Sequence, residues 1–237
     1  MTRTHVIGAA ATAALLYAAR RYYRNWGTTK DECHQRLPGD ELVRPPVLQS
    51  TEGIVIDAPV DAVWPLLAQL GQDRAGFYTY QALANLFRPD HHDDHTVGPE
   101  RQQLTPGDPV ALTPPGRLGR RDGVLLRVIQ VRDKRSIVLR GTPPEFPWDA
   151  VWSFHLEPHW EHQSRLLVRT RAGLRHPGQV FVTEMAGPVV TLTVRNMLQG
   201  IKARAEAAAD APHATSTKPD GDHSGVGAVA GPRPQQE

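Results

Sequence analysis

The sequence predicts an α+β domain in which a meander of antiparallel strands precedes one long C-terminal helix. Between Gly107 and Arg171, short β-branched stretches alternate with turn segments, and no helical pattern separates them. Consecutive strands joined by short turns are typical of antiparallel neighbours. After Pro188, apolar residues recur at the spacing of a helix face. These apolar positions are Val190, Val194, Met197, Leu198, Ile201 and Ala205.

The individual elements follow from local patterns. The first strand is predicted at Gly53–Asp57. A short helix follows, with Asp57 or Ala58 as its N-cap, Pro65 inside it and Gly71 at its end. A second short helix is predicted at Tyr80–Phe87. The later strands are predicted at Val110–Leu112, Val124–Val131, Ser136–Leu139, Val151–Leu156 and Arg165–Thr170.

Residues 1–25 differ from the rest of the chain. Val6–Ala19 is an uncharged, alanine-rich run that three arginines follow within five residues. The run is shorter than the ~20 residues of a full membrane span, although arginine and aromatic residues suit a membrane interface. Cleavage as a signal peptide after Ala19 would place Tyr17 where a small residue is expected. A membrane anchor is the preferred interpretation, with a signal peptide and a soluble or surface-lying helix as alternatives.

The arginines that follow the run favour the domain on the cytoplasmic side of the cell membrane, and a cytoplasmic protein is the alternative. At the other end, residues 208–237 are rich in Pro, Gly, Ser and Thr and contain few large apolar residues. Such a segment buries too little surface to offset its ordering entropy, so it is predicted to be a disordered tail. The folded domain is therefore expected at residues 26–207.

The composition excludes several classes of function. Basic and acidic side chains number 27 and 25, which gives no reason to expect a nucleic-acid partner. The single cysteine, Cys33, excludes an internal disulfide and a multi-cysteine zinc site. The cluster Asp90–His95 lies between turn residues and is interpreted as a solvated loop, so no metal site is expected. No nucleotide-binding or Ser-His-Asp pattern occurs, and no organic cofactor is expected.

Several segments, in order, resemble the SRPBCC (START-like, polyketide cyclase/dehydrase-like) superfamily, in a bacterial branch of largely uncharacterised members. The resemblance covers about residues 26–206 and is most specific at Arg74–Tyr80 (RAGFYTY). Arg101 stands where members of this branch often have tryptophan. The supporting segments are Trp26–Thr28, Leu37–Leu42, Ile56–Pro59, Val63–Pro65, Pro99–Glu100, Gly107–Asp108, Trp152–Phe154 and Arg165–Leu166. The resemblance implies a helix-grip fold, in which a curved antiparallel sheet wraps around the C-terminal helix.

Such a fold is expected to hold a small hydrophobic ligand, lipid-like or polyketide-like, in a cavity between sheet and helix. Aromatic residues suit the walls of the cavity, whereas tyrosine hydroxyls and arginines suit the polar groups of a ligand. The predicted ligand-binding residues are Trp64, Phe77, Tyr78, Tyr80, Glu100, Arg140, Trp152, Phe154 and Arg169. An alternative is a cyclase or dehydratase that uses cavity Tyr, Glu or Arg residues as acids and bases. A second alternative is a membrane-tethered interaction module with a filled core.

Overall fold

The computed structural model of the chain describes residues 7–8, 15, 17–18, 20, 22–69, 104–113 and 124–214. These residues form one six-stranded sheet in which all neighbouring strands are antiparallel. The strands are Leu48–Ile56 (β1), Pro109–Thr113 (β2), Val124–Arg132 (β3), Ser136–Gly141 (β4), Asp149–Trp160 (β5) and Gln163–Gly173 (β6). Their order across the sheet is β1-β6-β5-β4-β3-β2. The predicted meander is confirmed, and most of its strands are longer than the sequence pattern indicated.

The helices Lys30–His34 (α1), Val60–Ala68 (α2) and Pro177–Ala214 (α3) accompany the sheet, and the described residues between positions 7 and 24 are also helical. Helix α2 follows β1 and contains Pro65, as predicted, but its N-cap is Pro59. The prediction of Asp57 or Ala58 as the cap is wrong. The Asp57 carboxylate instead accepts hydrogen bonds from Gln163 and Lys202, so it is engaged outside the helix terminus. The second predicted helix, Tyr80–Phe87, lies outside the described residues.

Helix α3 is longer at both ends than the sequence predicts. It begins at Pro177, so Pro188 lies within the helix and does not start it. It continues to Ala214, past the residue at which the predicted domain ends. Its second half packs on the sheet through Val194, Met197, Leu198, Ile201 and Ala205, all of them buried. Lys202 fixes this half to the end of β1 by donating to the carbonyl oxygen of Val55 at 2.9 Å.

This arrangement, a six-stranded antiparallel sheet against one long C-terminal helix, is the helix-grip fold that the sequence resemblance implies. We call the surface that faces α3 the inner face and the opposite surface the outer face. Side chains alternate between the two faces along each strand. The fold prediction is therefore confirmed.

Residues 27–44 cover the outer face. Gly39 has a positive φ of 97°, and a Cβ atom there would lie 2.8 Å from Val138 Cγ1 on β4. Only glycine allows both this conformation and this close approach. Asp40, the next residue, accepts a hydrogen bond from Leu37 N and forms ion pairs with Arg169 and Arg171 of β6. The segment Leu37–Leu42, which contributes to the superfamily resemblance, therefore attaches this part of the chain to the sheet.

Candidate ligand-binding site

The inner face is built from apolar side chains of all six strands. Cross-strand register places Phe154 of β5 between Val168 of β6 and Ile137 of β4. In the adjacent row, Trp152 lies between Thr170 and Leu139. Directly opposite residues of an antiparallel pair point to the same side, so these rows form one continuous surface towards α3.

Trp152, Phe154 and Trp64 lie at this surface, as predicted. Trp152 and Phe154 are buried, and their ring centroids are 4.9 Å apart at an interplanar angle of 51°. Such a tilted contact is among the favoured arrangements of aromatic pairs. Trp64 of α2 is partly buried against the same apolar cluster. These three residues could provide the aromatic wall of a ligand site.

Glu52 of β1 is the polar residue of this surface that the sequence analysis missed. It lies opposite Val168 in the register, so its side chain points to the inner face. Its residue exposure is 1%, and its Oε2 atom has no hydrogen-bond partner within the described residues. A carboxyl group is therefore buried among apolar side chains, and one of its oxygens has no partner there.

Burial determines the protonation of Glu52. Removal from water disfavours the carboxylate and raises the pKa of Glu52 to about 8, although a hydrogen bond with the Ser50 side chain opposes this shift. Ser50 and Thr170 are opposite each other in the next row of the inner face. The carboxyl group is thus mostly neutral at pH 7, and it can donate a hydrogen bond as well as accept one.

The alternation of residues along β1 could have identified Glu52 from the sequence, but the predicted strand began one residue after it. The predicted strand began at Gly53, whereas β1 begins at Leu48. Extending the alternation of Ile56 and Ile54 backwards places Glu52 and Ser50 on the same side. An acidic residue at a buried position of a strand is unusual, which makes it a candidate functional residue.

Arg169 lies away from the predicted cavity, contrary to the expectation that it faces a ligand there. It lies on the outer face, opposite Thr51, and its residue exposure is 1%. Its five N–H donors make five hydrogen bonds, so none remains for a ligand carboxylate. The acceptors are Thr51 Oγ1, Asp40 Oδ2 and the carbonyl oxygens of Glu32, Cys33 and Gln35. The guanidinium group thereby caps the C-terminal end of α1 and anchors it to the sheet.

Arg140 is also on the outer face, so its predicted role in the cavity is wrong. It lies opposite Val151, and its guanidinium forms two hydrogen bonds with the Asp149 carboxylate, both 3.0 Å long. The hydrogen bonds and the charge of Asp149 raise the pKa of Arg140. Neither arginine is therefore available to a ligand held between the sheet and α3.

The remaining predicted residues, Phe77, Tyr78, Tyr80 and Glu100, lie outside the described residues, as does the cluster Asp90–His95. Their roles stay predictions. Within the described part of the chain, no group of three or more His, Cys, Asp or Glu side chains is arranged to hold a metal ion.

An apolar groove of about 230 Å³ lies elsewhere, between the N-terminal segment and α3. Gly187 of α3 lies close to Tyr23, because a Cβ atom at this position would lie 3.2 Å from the tyrosine oxygen. The groove is lined by Tyr22, Tyr23, Trp26, Pro188, Thr191, Leu192 and Arg195. It is distinct from the predicted cavity between the sheet and α3, which stays a prediction.

No family model matches the chain, and no curated protein matches its sequence. Similar solved structures include norcoclaurine synthase from Thalictrum flavum, with 13% identity and a TM-score of 0.43, covering 68% of this chain and 95% of that one. A protein from Thermobifida fusca has 15% identity and a TM-score of 0.42, with coverages of 67% and 95%. A protein from Deinococcus radiodurans has 12% identity and a TM-score of 0.39, with coverages of 68% and 99%. At these values the likeness carries no statement about activity, and the fold assignment depends on the strand order and α3.

Proposed function

We propose that this protein binds a small, mainly apolar ligand, lipid-like or polyketide-like, between the inner face and α3. In this proposal, the carboxyl group of Glu52 meets a polar group of the ligand. The observation that carries the proposal is the position of Glu52, buried on an apolar surface with no partner for Oε2 within the described residues. Sites for small ligands combine a mainly apolar wall with a few placed polar groups, which matches this composition.

Glu52 lowers the stability of the unliganded fold. A buried polar group without a hydrogen-bond partner costs about 1–3 kcal/mol. A leucine at this position would bury the same surface without that cost. A residue that breaks the rules of a well-packed core is expected where it serves a function.

The protonation of Glu52 specifies the polar group of the ligand. Because burial raises the pKa of Glu52 to about 8, its neutral form can donate a hydrogen bond near pH 7. The matching ligand group is an acceptor, such as a ketone, ester or carboxylic acid carbonyl. A ligand carboxylate is a poorer match, because it would bring a second acid into the same apolar environment.

The test compares three variants in binding and stability. We expect Glu52→Leu to raise the free energy of unfolding and to weaken binding of Nile red, a carbonyl-containing apolar dye, by about tenfold. Glu52→Gln keeps a hydrogen-bonding group and should weaken binding less. Glu157→Leu, which replaces an exposed acid on β5, is the matched control and should leave dye affinity unchanged. Equal dye affinity of Glu52→Leu and the wild type would refute the role of Glu52.

Catalysis is the second candidate function, and the position of Glu52 also supports it. A carboxylic acid with a pKa of about 8 is close to the value that suits a general acid near neutral pH. A cyclase or dehydratase reaction could use Glu52 to protonate a carbonyl or hydroxyl oxygen. Its signature would be a Glu52→Gln variant that binds a polyketide-type substrate normally but converts it much more slowly. Equal turnover by the variant would exclude Glu52 as the acid.

We also propose that residues 1–25 hold the protein at the cell membrane, with the domain on the cytoplasmic side. The support is the uncharged run Val6–Ala19 and the arginines that follow it. No helix in the described part of the chain is both long and apolar enough to cross a bilayer. We expect the full chain to sediment with membranes and a chain without residues 1–25 to be released. A full-length protein that stays in the supernatant after lysis would contradict the anchor.

A further inference from the structure

The two halves of α3 have opposite distributions of polar residues. In the second half, the buried side chains are apolar, as in an ordinary helix packed on a sheet. In the first half, Thr183, Thr191 and Thr193 are buried, whereas large apolar side chains point to solvent. These exposed residues are Phe181, Val182, Met185, Val189, Val190 and Leu192, with exposures between 45% and 68%. The first half of α3 is thus inverted relative to a water-soluble helix.

Two of the buried hydroxyls in this half are satisfied within the helix itself. Thr183 Oγ1 donates to the carbonyl oxygen of Gln179 or Val180, at 2.9 and 2.8 Å, and Thr193 Oγ1 donates to that of Val189 at 2.8 Å. These hydroxyls need no water or external partner. Internal satisfaction of polar groups is required of a helix whose surroundings lack water.

The N-terminal segment, by which we mean the described residues from 7 to 26, has its last residues beside this half of α3. All its described residues between positions 7 and 24 are helical. Arg20 and Arg24 both bind Glu184, and Tyr23 contacts Gly187. Glu184 is the only charged residue from Pro177 to Val194. Two arginines therefore pair with the one acidic residue in this part of α3, and the group keeps a net positive charge.

Exposed apolar side chains concentrate in these two segments. Of the thirteen large apolar residues that are exposed within the described residues, six lie on the first half of α3 and four on the N-terminal segment. Those on the N-terminal segment are Ile7, Leu15, Tyr17 and Tyr22. Such a concentration of exposed apolar side chains is typical of a contact site and not of a surface exposed only to water.

Residues suited to a membrane interface lie where the two segments meet the domain. Trp26 and Arg195 are in contact, with the guanidinium carbon 4.6 Å from the centre of the ring. Tyr22 and Tyr23 line the same groove. Tryptophan, tyrosine and arginine are the residues that accumulate at the level of lipid headgroups.

We propose that the first half of α3 and the N-terminal segment together form a lipid-binding surface that inserts side by side into one leaflet of a bilayer. The membrane-docking surface consists of Phe181, Val182, Met185, Val189 and Leu192 with the N-terminal segment. It goes beyond an N-terminal tether, because part of the folded domain itself contacts the lipid. It also does not depend on ligand binding at Glu52.

The charge distribution identifies the lipid as anionic. Residues 1–30 contain five Arg or Lys residues and no Asp or Glu, and residues 171–195 contain three arginines against Glu184 alone. Each basic residue near an anionic membrane surface contributes about 1 kcal/mol of attraction. Binding should therefore be stronger to phosphatidylglycerol-containing vesicles than to vesicles of phosphatidylcholine alone.

Vesicle flotation of the full-length protein tests the surface. We expect the double variant Phe181→Glu/Met185→Glu to lose about tenfold or more of its partition into phosphatidylglycerol-containing vesicles, because two apolar side chains no longer insert. Trp160→Glu is the matched control, since Trp160 is 72% exposed on β5 but lies outside the membrane-docking surface. This control should partition as the wild type does.

A second variant and two further measurements make the result decisive. Phe181→Ser/Met185→Ser removes the apolar surface without adding charge, and it should also weaken partition. Thermal unfolding followed by circular dichroism checks that each variant is folded, and Nile red binding should remain unchanged in both. Partition of both double variants like that of the wild type would overturn the proposal. It would also be overturned if light scattering showed a wild-type dimer that the variants break while vesicle binding persists, because the surface would then be a subunit interface.

Discussion

Asp40 and Glu52 are both buried acids, but they contact opposite faces of the same sheet and differ in what surrounds them. Asp40, on the outer face, forms ion pairs with Arg169 at 2.8 Å and with Arg171 at 3.0 Å. Glu52, on the inner face, has apolar neighbours and the Ser50 side chain, and no ion pair within the described residues. Asp40 is thus paired with positive charge, whereas burial keeps Glu52 neutral.

The two faces of the sheet therefore differ in role: the outer face stabilises the fold, and the inner face carries the candidate ligand contact. On the outer face, polar groups join residues 27–44 to β1 and β6, and a hydrogen-bonded arginine closes the end of α1. On the inner face, the carboxyl group of Glu52 lies on a mainly apolar surface, and its Oε2 atom finds no partner in the described part of the chain. A buried acid that is paired with arginines stabilises and specifies a fold, whereas a buried acid with no ion pair in the described part of the chain is a candidate for ligand contact.

The largest effect on stability is expected from replacing Asp40. Asp40→Ala leaves the buried Arg169 and the partly buried Arg171 without their partner, which should lower the free energy of unfolding by about 3–5 kcal/mol. Asp61→Ala is the matched control, because Asp61 pairs with Lys134 at an exposed position and its loss should barely shift the urea midpoint. Equal urea midpoints for the two variants would show that the outer network is not a structural element.

A smaller change in stability is expected when Glu52 is titrated by pH. Its pKa is raised from 4.5 to about 8, so between these values the folded state binds more protons than the unfolded state. Stability should therefore fall as the pH rises through this range, by about 3 kcal/mol between roughly pH 5 and pH 7. Urea unfolding across this range should show the decline in the wild type and a flatter profile in Glu52→Gln. An unchanged slope in the variant would contradict burial of the neutral acid.

His155, on the outer face, should make stability depend on pH in the opposite direction. Burial, with a smaller contribution from the charge of Arg169, lowers the pKa of His155 from 6.5 to about 4. The unfolded state then binds more protons between these values, so this contribution to stability is lost as the pH falls from about 6.5 to 4. The loss is about 2 kcal/mol between roughly pH 6 and pH 4.5. NMR titration of the imidazole should find it neutral at pH 5, and His155→Gln should weaken the acid dependence. A titration midpoint near 6.5 would contradict the prediction.

The smallest effect is expected at Ser153, which shares a hydrogen bond of 2.9 Å with His155 Nε2. Ser153→Ala leaves the buried ring nitrogen without this partner and should cost about 1 kcal/mol. It should also shift the imidazole titration measured by NMR. If neither stability nor titration changes, the serine contributes nothing to the neutral state of His155.

The order of the elements could be predicted because it depends on local patterns. Alternation along β5 correctly placed Trp152 and Phe154 on the side of α3, and helical spacing correctly placed Val194, Met197 and Leu198 in the core. These patterns work because each strand and helix buries one face against the others. The same rule fails in the first half of α3, where buried threonines and exposed apolar residues reverse the expected pattern.

The sequence by itself determined the α+β class, the antiparallel strands, the long C-terminal helix and the aromatic residues of the inner face. Only the tertiary structure decided what the buried charges do. Arg169, Arg140 and Glu52 all lie on strands, and their alternation gives a side but not a partner. Partners such as Asp40, 129 residues from Arg169 in sequence, are set by how residues 27–44 fold over the sheet. Because the strength of a charge interaction depends on distance and burial, the outer arginines became structural and Glu52 became the candidate for ligand contact.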